Sequence, residues 1–204
     1  MAGRAEPIRL AFHIGGIQFE DNRISMEEFS KQKNEGAFKF GQIPVLEIDG
    51  IQYAQSHAIL RYVGRLTNLY PQEDPIQCLK VDQALYSIDE IVTRIIPTYF
   101  IKDKEEQLQA RKKLSENEFS FWLEKLESQL KDGNGYFAGN QQISIAELYM
   151  VQVVDWLTRG SLEGVPSDIA KKYGFLQKSI EFVKNIDKVK EYYARLEEEK
   201  KQKE

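Results

Sequence analysis

Two short stretches of this chain carry residue types whose spacing suits recognition of a small peptide. In Gly41-Gln42-Ile43-Pro44-Val45-Leu46 a proline opens an apolar run. Lacking an N–H, it belongs at a strand start, an edge or a turn. Two readings are open. A trans proline would simply end a strand edge, whereas a cis Ile43–Pro44 bond would reverse the chain and turn the Ile43 amide and carbonyl outward. There they could pair with an extended peptide as a short antiparallel strand. The second stretch, Gln55-Ser56-His57-Ala58-Ile59, begins a helix directly after a strand. Free N–H groups and the positive end of the helix dipole suit a carboxylate there, and Ser56 and Gln55 add polar groups. The competing reading is ordinary helix capping. His57 has no second ligand in view, so packing on the helix suits it better than catalysis. Taken together, the stretches would hold a peptide's backbone at one end and its carboxylate at the other.

Positioning them takes a particular order of elements. Ile8, Leu10, Ala11, Phe12 and Ile14 give an opening helix its apolar face, Pro7 fits a first turn, and Gly15-Gly16 stops it. Ile17-Gln18-Phe19-Glu20 alternates as a half-buried strand. Residues 25–41 read as polar and irregular. Residues 43–48 and 51–54 then flank Asp49-Gly50, the strongest short hairpin signal, because a type I′ turn needs two residues at positive φ. Ser56 starts a helix through Val63. A linker over 68–75 separates this α/β half from helices expected near 76–101, 103–130, 145–159, 168–183 and 186–198. The third of these has a clear start: Ser144 as N-cap, Glu147 closing a capping box, and Ile143 with Leu148 as a hydrophobic staple. The C-terminal EEEKKQKE reads as a solvated, fraying tail.

Composition narrows the function classes. Lys and Arg total 28 against 32 Asp and Glu, a net charge of -4, so no basic excess serves nucleic-acid binding. The one cysteine, Cys78, rules out an internal disulfide and any Cys-x-x-Cys redox or zinc site. His13 and His57 leave little for a His-based metal site. No apolar run approaches the roughly 18 residues of a membrane span. A soluble, cytoplasmic protein with no metal is the expectation.

Gly3-Arg4-Ala5-Glu6, Phe40 through Gly50, Gln55 through Tyr62 and Ile143-Ser144-Ile145-Ala146-Glu147 together resemble the cytosolic glutathione transferases. The texture is nearest the sigma class, which includes glutathione-dependent prostaglandin D synthases. The resemblance covers nearly the whole chain. It implies an α+β architecture, with a thioredoxin-like glutathione-binding domain over 1–70, an all-helical bundle over 75–204, and a homodimer with two active sites. It also implies glutathione as co-substrate and a small-molecule electrophile or peroxide as second substrate. Gln42 and the backbone of Ile43, before cis-proline Pro44, would hold the cysteinyl part. Gln55 and Ser56 would bind the γ-glutamyl end, and Lys33 would meet the glycine carboxylate. Phe29 falls where the sigma pattern has Trp, so an indole N–H donor would be lost. Asp89 and Glu90 fall at the acidic pair that reaches the γ-glutamyl amine of the other subunit's ligand, Glu90 being the nearer match. Arg94 and Tyr99 are candidates for an electrophile pocket between the domains.

The chain departs from the family pattern at its start. Family members carry a strand with a catalytic Tyr just before the Gly-Arg-Ala-Glu helix start, and here only Met1 and Ala2 precede Gly3. An interior strand beside Ile17–Glu20 and the Pro44 strand would be missing, leaving unpaired edges. The Tyr hydroxyl that stabilises the thiolate would go with it, a loss of roughly 2.7 kcal/mol if it lowers the thiol pKa by about two units. Arg4 would supply only part of that electrostatically. The expectations are, in order, an incomplete version of an active transferase, a non-catalytic glutathione- or ligand-binding relative, and a structural relative. Reduced conjugating activity is expected of the chain as written.

Overall fold

The computed structural model describes residues 3–202. In chain order it has α1 (Glu6–Ile14), α2 (Met26–Asn34), β1 (Leu46–Ile48), β2 (Ile51–Tyr53), α3 (Ser56–Leu66), α4 (Pro75–Ile95), α5 (Lys104–Leu114), α6 (Ser120–Asp132), α7 (Ile145–Thr158), α8 (Gly174–Asn185) and α9 (Asp187–Lys201). A thioredoxin-like arrangement of helices on a hairpin is followed by a helical bundle. The hairpin forms as its turn chemistry requires: Asp49 has φ 51° and Gly50 φ 75°. The antiparallel register pairs Leu46 with Tyr53, Glu47 with Gln52 and Ile48 with Ile51. Pro44 stands outside this ladder, so the strands are shorter than the apolar pattern suggests.

The two halves share one hydrophobic core, running from Ile8, Leu10 and Phe12 of α1 through Ile59, Leu60 and Val63 of α3 to the buried faces of α4, α6, α7 and α8. Helix α1 packs on α3, α7 and α9. Gly64 permits the close crossing behind α3: a side-chain carbon there would lie 2.6 Å from Ile145 Cγ2 and 3.0 Å from Tyr70 Cβ.

Several expectations are corrected. Ile17–Glu20 is not a strand: its alternation is real, with Ile17 and Phe19 half-buried, but it comes from packing on α1. Phe19 stacks on Phe12 at 4.7 Å, and the Ile17 amide donates back to the Phe12 carbonyl at 3.0 Å. Among the described residues the sheet has two strands. Residues 26–34, read as irregular, form α2, capped by the Ser25 hydroxyl accepting from the Glu28 amide at 3.0 Å. Helix α4 ends at Ile95 and tightens into a 3₁₀ turn over Ile96–Phe100, where Pro97 sits. The single helix expected over 103–130 is interrupted by a π-helical turn over Ser115–Phe119. Helix α8 starts at Gly174, not near 168, because its first free amides find a partner there: Phe175 and Leu176 donate to the Glu127 carboxylate of α6 at 3.0 and 2.8 Å.

The capping box at Ser144 and Glu147 is present as expected. Glu147 is fully buried and accepts from the Ser144 amide at 2.7 Å, the Ser144 hydroxyl at 2.5 Å and the Phe137 amide at 2.7 Å. The C-terminal stretch continues as helix α9 through Lys201; Lys203 and Glu204 of the expected tail lie outside the described residues, as do Met1 and Ala2.

Candidate functional site

The Ile43–Pro44 peptide bond is cis, so the trans strand-edge reading of the six residues gives way. Gln42 and Ile43 are exposed at the mouth of the hairpin. Helix α2 brings Phe29 and Lys33, one helical turn apart, to the same place. The Lys33 side chain crosses the backbone of Gly41, its Cε lying 3.3 Å from where a Gly41 Cβ would stand. Its ammonium sits 5.9 Å from the centre of the Phe29 ring, which packs on Phe38 at 5.6 Å. Phe29 and Lys33 thus form one wall beside Gly41, the chain neighbour of Gln42.

The second wall is the start of α3. Gln55 takes the cap position with φ 74° and ψ 102°, a conformation rare for a residue with a side chain, and offers no side-chain cap. Ser56 is the first helical residue, not the cap, and its hydroxyl has no hydrogen-bond partner among the described residues. The first backbone bond of the helix is Ile59 N–H to Gln55 C=O, at 3.0 Å. Among the described residues the amides of Ser56, His57 and Ala58 find no acceptor, and the positive end of the helix can take an anion.

Behind this opening three groups converge on one carboxylate. Asp89 Oδ1 of α4 accepts from the Tyr149 hydroxyl of α7 at 2.7 Å. Arg4 Nη2 lies 3.6 Å from it and His57 Nε2 3.7 Å. His57 is wedged edge-on between Tyr149 and Tyr86, at ring distances of 5.0 and 5.8 Å. Its Nε2 is buried without a hydrogen bond among the described residues. Burial lowers the His57 pKa below its ordinary value against the opposing pull of Asp89. Burial, reinforced by Asp89, raises that of Tyr149.

The acidic pair divides. Asp89 turns inward to this cluster, while Glu90 runs along α4 and pairs with Arg94 one turn on. Arg94 also donates to Glu118 at 2.8 Å and covers the Trp122 ring. Tyr99, in the 3₁₀ turn, accepts from the Trp156 indole N–H at 3.2 Å and carries the Arg111 guanidinium over its ring. Neither Arg94 nor Tyr99 makes a contact that joins it to the other or to the opening at α3. Sequence reasoning passed over Tyr149 and assigned His57 to packing. The pairing of Tyr149 with Asp89 spans 60 positions and leaves no local signal.

Among the described residues no helix is long and apolar enough to cross a membrane, and no group of three or more His, Cys, Asp or Glu is placed to hold a metal ion. Residues 1–65 match the family model described as glutathione S-transferase, N-terminal domain, and residues 89–195 that described as glutathione S-transferase, C-terminal domain. The chain is 32% identical over 190 residues to glutathione S-transferase 2 of Manduca sexta, covering 93% of this chain and 90% of that one. Its fold is similar to prostaglandin synthase D of Nilaparvata lugens, with TM-score 0.85 and 28% identity over 95% of this chain and 93% of that one. It is also similar to a rat hPGDS complexed with a quinoline, with TM-score 0.82 and 26% identity over 96% and 92% of the two chains.

Proposed function

The chain belongs to the glutathione S-transferase family, and from that premise we propose that it binds glutathione between the α2–hairpin wall and the start of α3 and joins it to electrophilic or peroxide substrates. The sigma-like texture adds isomerisation of a prostaglandin-like endoperoxide as a related reaction. The observation that carries the binding reading is the α3 start: three amides and a Ser56 hydroxyl without a partner among the described residues, and a cap residue held at positive φ. Such a terminus suits the γ-glutamyl carboxylate. The Ile43 amide and carbonyl before cis-Pro44 would take the cysteinyl backbone as a short strand, with Gln42 alongside. Lys33 supplies a cation for the glycine carboxylate, and Phe29 offers only an apolar face there.

Arg4 is the accessory group for the thiolate. Proximity and electrostatic stabilisation of sulfur are the contributions this scaffold would make. Arg4 is shared with Asp89, which bounds how much of its field reaches the sulfur. Arg94 and Tyr99 remain the candidates for the electrophile side, each tied to its own neighbours. Both acids are engaged within their own chain, but the Glu90 side chain, paired with Arg94, is 43% exposed against 21% for Asp89, which favours Glu90 as the acid that reaches a partner subunit's ligand in a homodimer. We place the protein in the cytoplasm and its work in detoxification.

Ser56→Ala tests the carboxylate reading. Removing one hydrogen bond to a charged group should weaken glutathione binding about tenfold in titration calorimetry. An unchanged dissociation constant would reduce Ser56 to a residue of the first helical turn.

A further inference from the structure

His57 sits next to Ser56 in the first turn of α3, yet its imidazole points away from solvent into the cluster around Asp89. Among the described residues, the charged and titratable groups facing it can be named. From α4 come Asp82, Tyr86 and Asp89, from α3 itself Arg61, from the turn before α1 Arg4, and from α7 Tyr149. Asp82 is neutralised by Arg61 at 2.7 Å and also accepts from the Tyr70 hydroxyl at 3.2 Å. Among the described residues Asp89 has no comparably close cation: Arg4 stands at 3.6 Å, and the one hydrogen bond it receives there comes from a neutral phenol. Asp89 Oδ1 therefore lies 3.7 Å from a buried imidazole nitrogen that itself lacks a partner. A shift of less than 1 Å would turn this pair into a charge-assisted hydrogen bond once the ring is protonated.

We propose that His57 is a proton-linked positioning residue of the anion site at the start of α3: a carboxylate seated on the Ser56–Ala58 amides draws a proton onto the imidazole, and Asp89 receives the resulting cation. The proposal rests on the glutathione reading above. The physical reason is charge balance. With the site empty, a protonated ring stands beside the positive end of α3, near Arg61 and Arg4, and is disfavoured. A bound carboxylate offsets that positive end, so the ring protonates more readily. Linkage requires the converse, that protonation of His57 tightens the grip on the carboxylate by the same factor. His57 then adds a second polar link from α3 to α4 through Asp89 when the ligand is in place, beside the Arg61–Asp82 ion pair that joins the two helices in either state.

The protein has two histidines, His13 and His57, so their imidazole proton resonances can be followed separately by NMR. His13 lies against Tyr192 of α9 and serves as the internal control. S-methylglutathione is the probe, because it has no thiol proton to lose and its other groups do not titrate between about pH 5 and 7. On saturation the His57 midpoint should rise by about 0.5–1 pH unit while that of His13 stays fixed. The dissociation constant should correspondingly tighten about 3- to 10-fold from pH 7.5 to 5.5, and His57→Gln should remove that dependence. Assignment can come from His57→Gln or from His13→Gln, so the test survives the misfolding of either variant. Binding with an unmoved His57 midpoint would overturn the proposal and leave the glutathione reading standing. No binding at any pH would remove both.

Discussion

Glu147 illustrates what a single residue decides in this fold. Its carboxylate is fully buried and ties the amides of Ser144 and Phe137 and the Ser144 hydroxyl into one knot at the start of α7. Burial pushes its pKa up against the pull of these hydrogen bonds. Glu147→Ala would strand two buried amides and open a cavity, and should destabilise the protein by about 3 kcal/mol or more in urea denaturation. A loss below about 1 kcal/mol would show that the knot is dispensable. Half of this knot is legible in the sequence, because Ser144 and Glu147 stand at capping-box spacing. The Phe137 amide is not, since nothing local assigns it a partner ten positions on. The same divide runs through the candidate site. Gln55, Ser56 and the Gln42-Ile43-Pro44 stretch announce themselves by type and spacing. The convergence of Arg4, His57 and Tyr149 on Asp89 depends on four separate segments meeting, and no window of sequence contains it.

Elements were legible where the signal is carried by neighbours in sequence. The Asp49-Gly50 hairpin, the opening helix and α7 follow from turn chemistry, apolar periodicity and caps. Ser25 and Glu28, three apart, carried the same kind of signal for α2, hidden because that helix buries no residue fully and so shows no apolar stripe. The start of α8 is different, since Glu127 caps it from α6. Alternation over Ile17–Glu20 was misleading because a period of two reports burial on one side, not strand pairing. Elements also set the expected assembly. Tyr53 of β2, Tyr62 and Leu66 of α3, and Ile76, Leu79 and Tyr86 of α4 are all exposed, Leu79 at 62%. Their faces are the proposed homodimer contact. Leu79→Asp would bury an unpaired charge there, and should convert a species of twice the 23.7 kDa chain mass into a monomer in sedimentation equilibrium. A wild-type chain that sediments as a monomer at micromolar concentration would contradict that assembly.

On the scale of the whole molecule, the proposed glutathione site depends on α3 being held in place from behind. Its rear face shares one core with α1 and α7, which fixes the helix whose start carries Gln55 and Ser56. Fold and family were readable from residue patterns spread along nearly the whole chain, and the family models cover both halves. What those patterns did not carry is the shared core itself, because contacts between α1 and α7 or α9 join positions more than a hundred residues apart. The central claim is that this framework presents a site for the tripeptide. Titration calorimetry of glutathione into the folded 204-residue chain tests it most directly. Saturable binding of one glutathione per chain is the predicted result; a chain that melts cooperatively yet gives no heat with glutathione would contradict it.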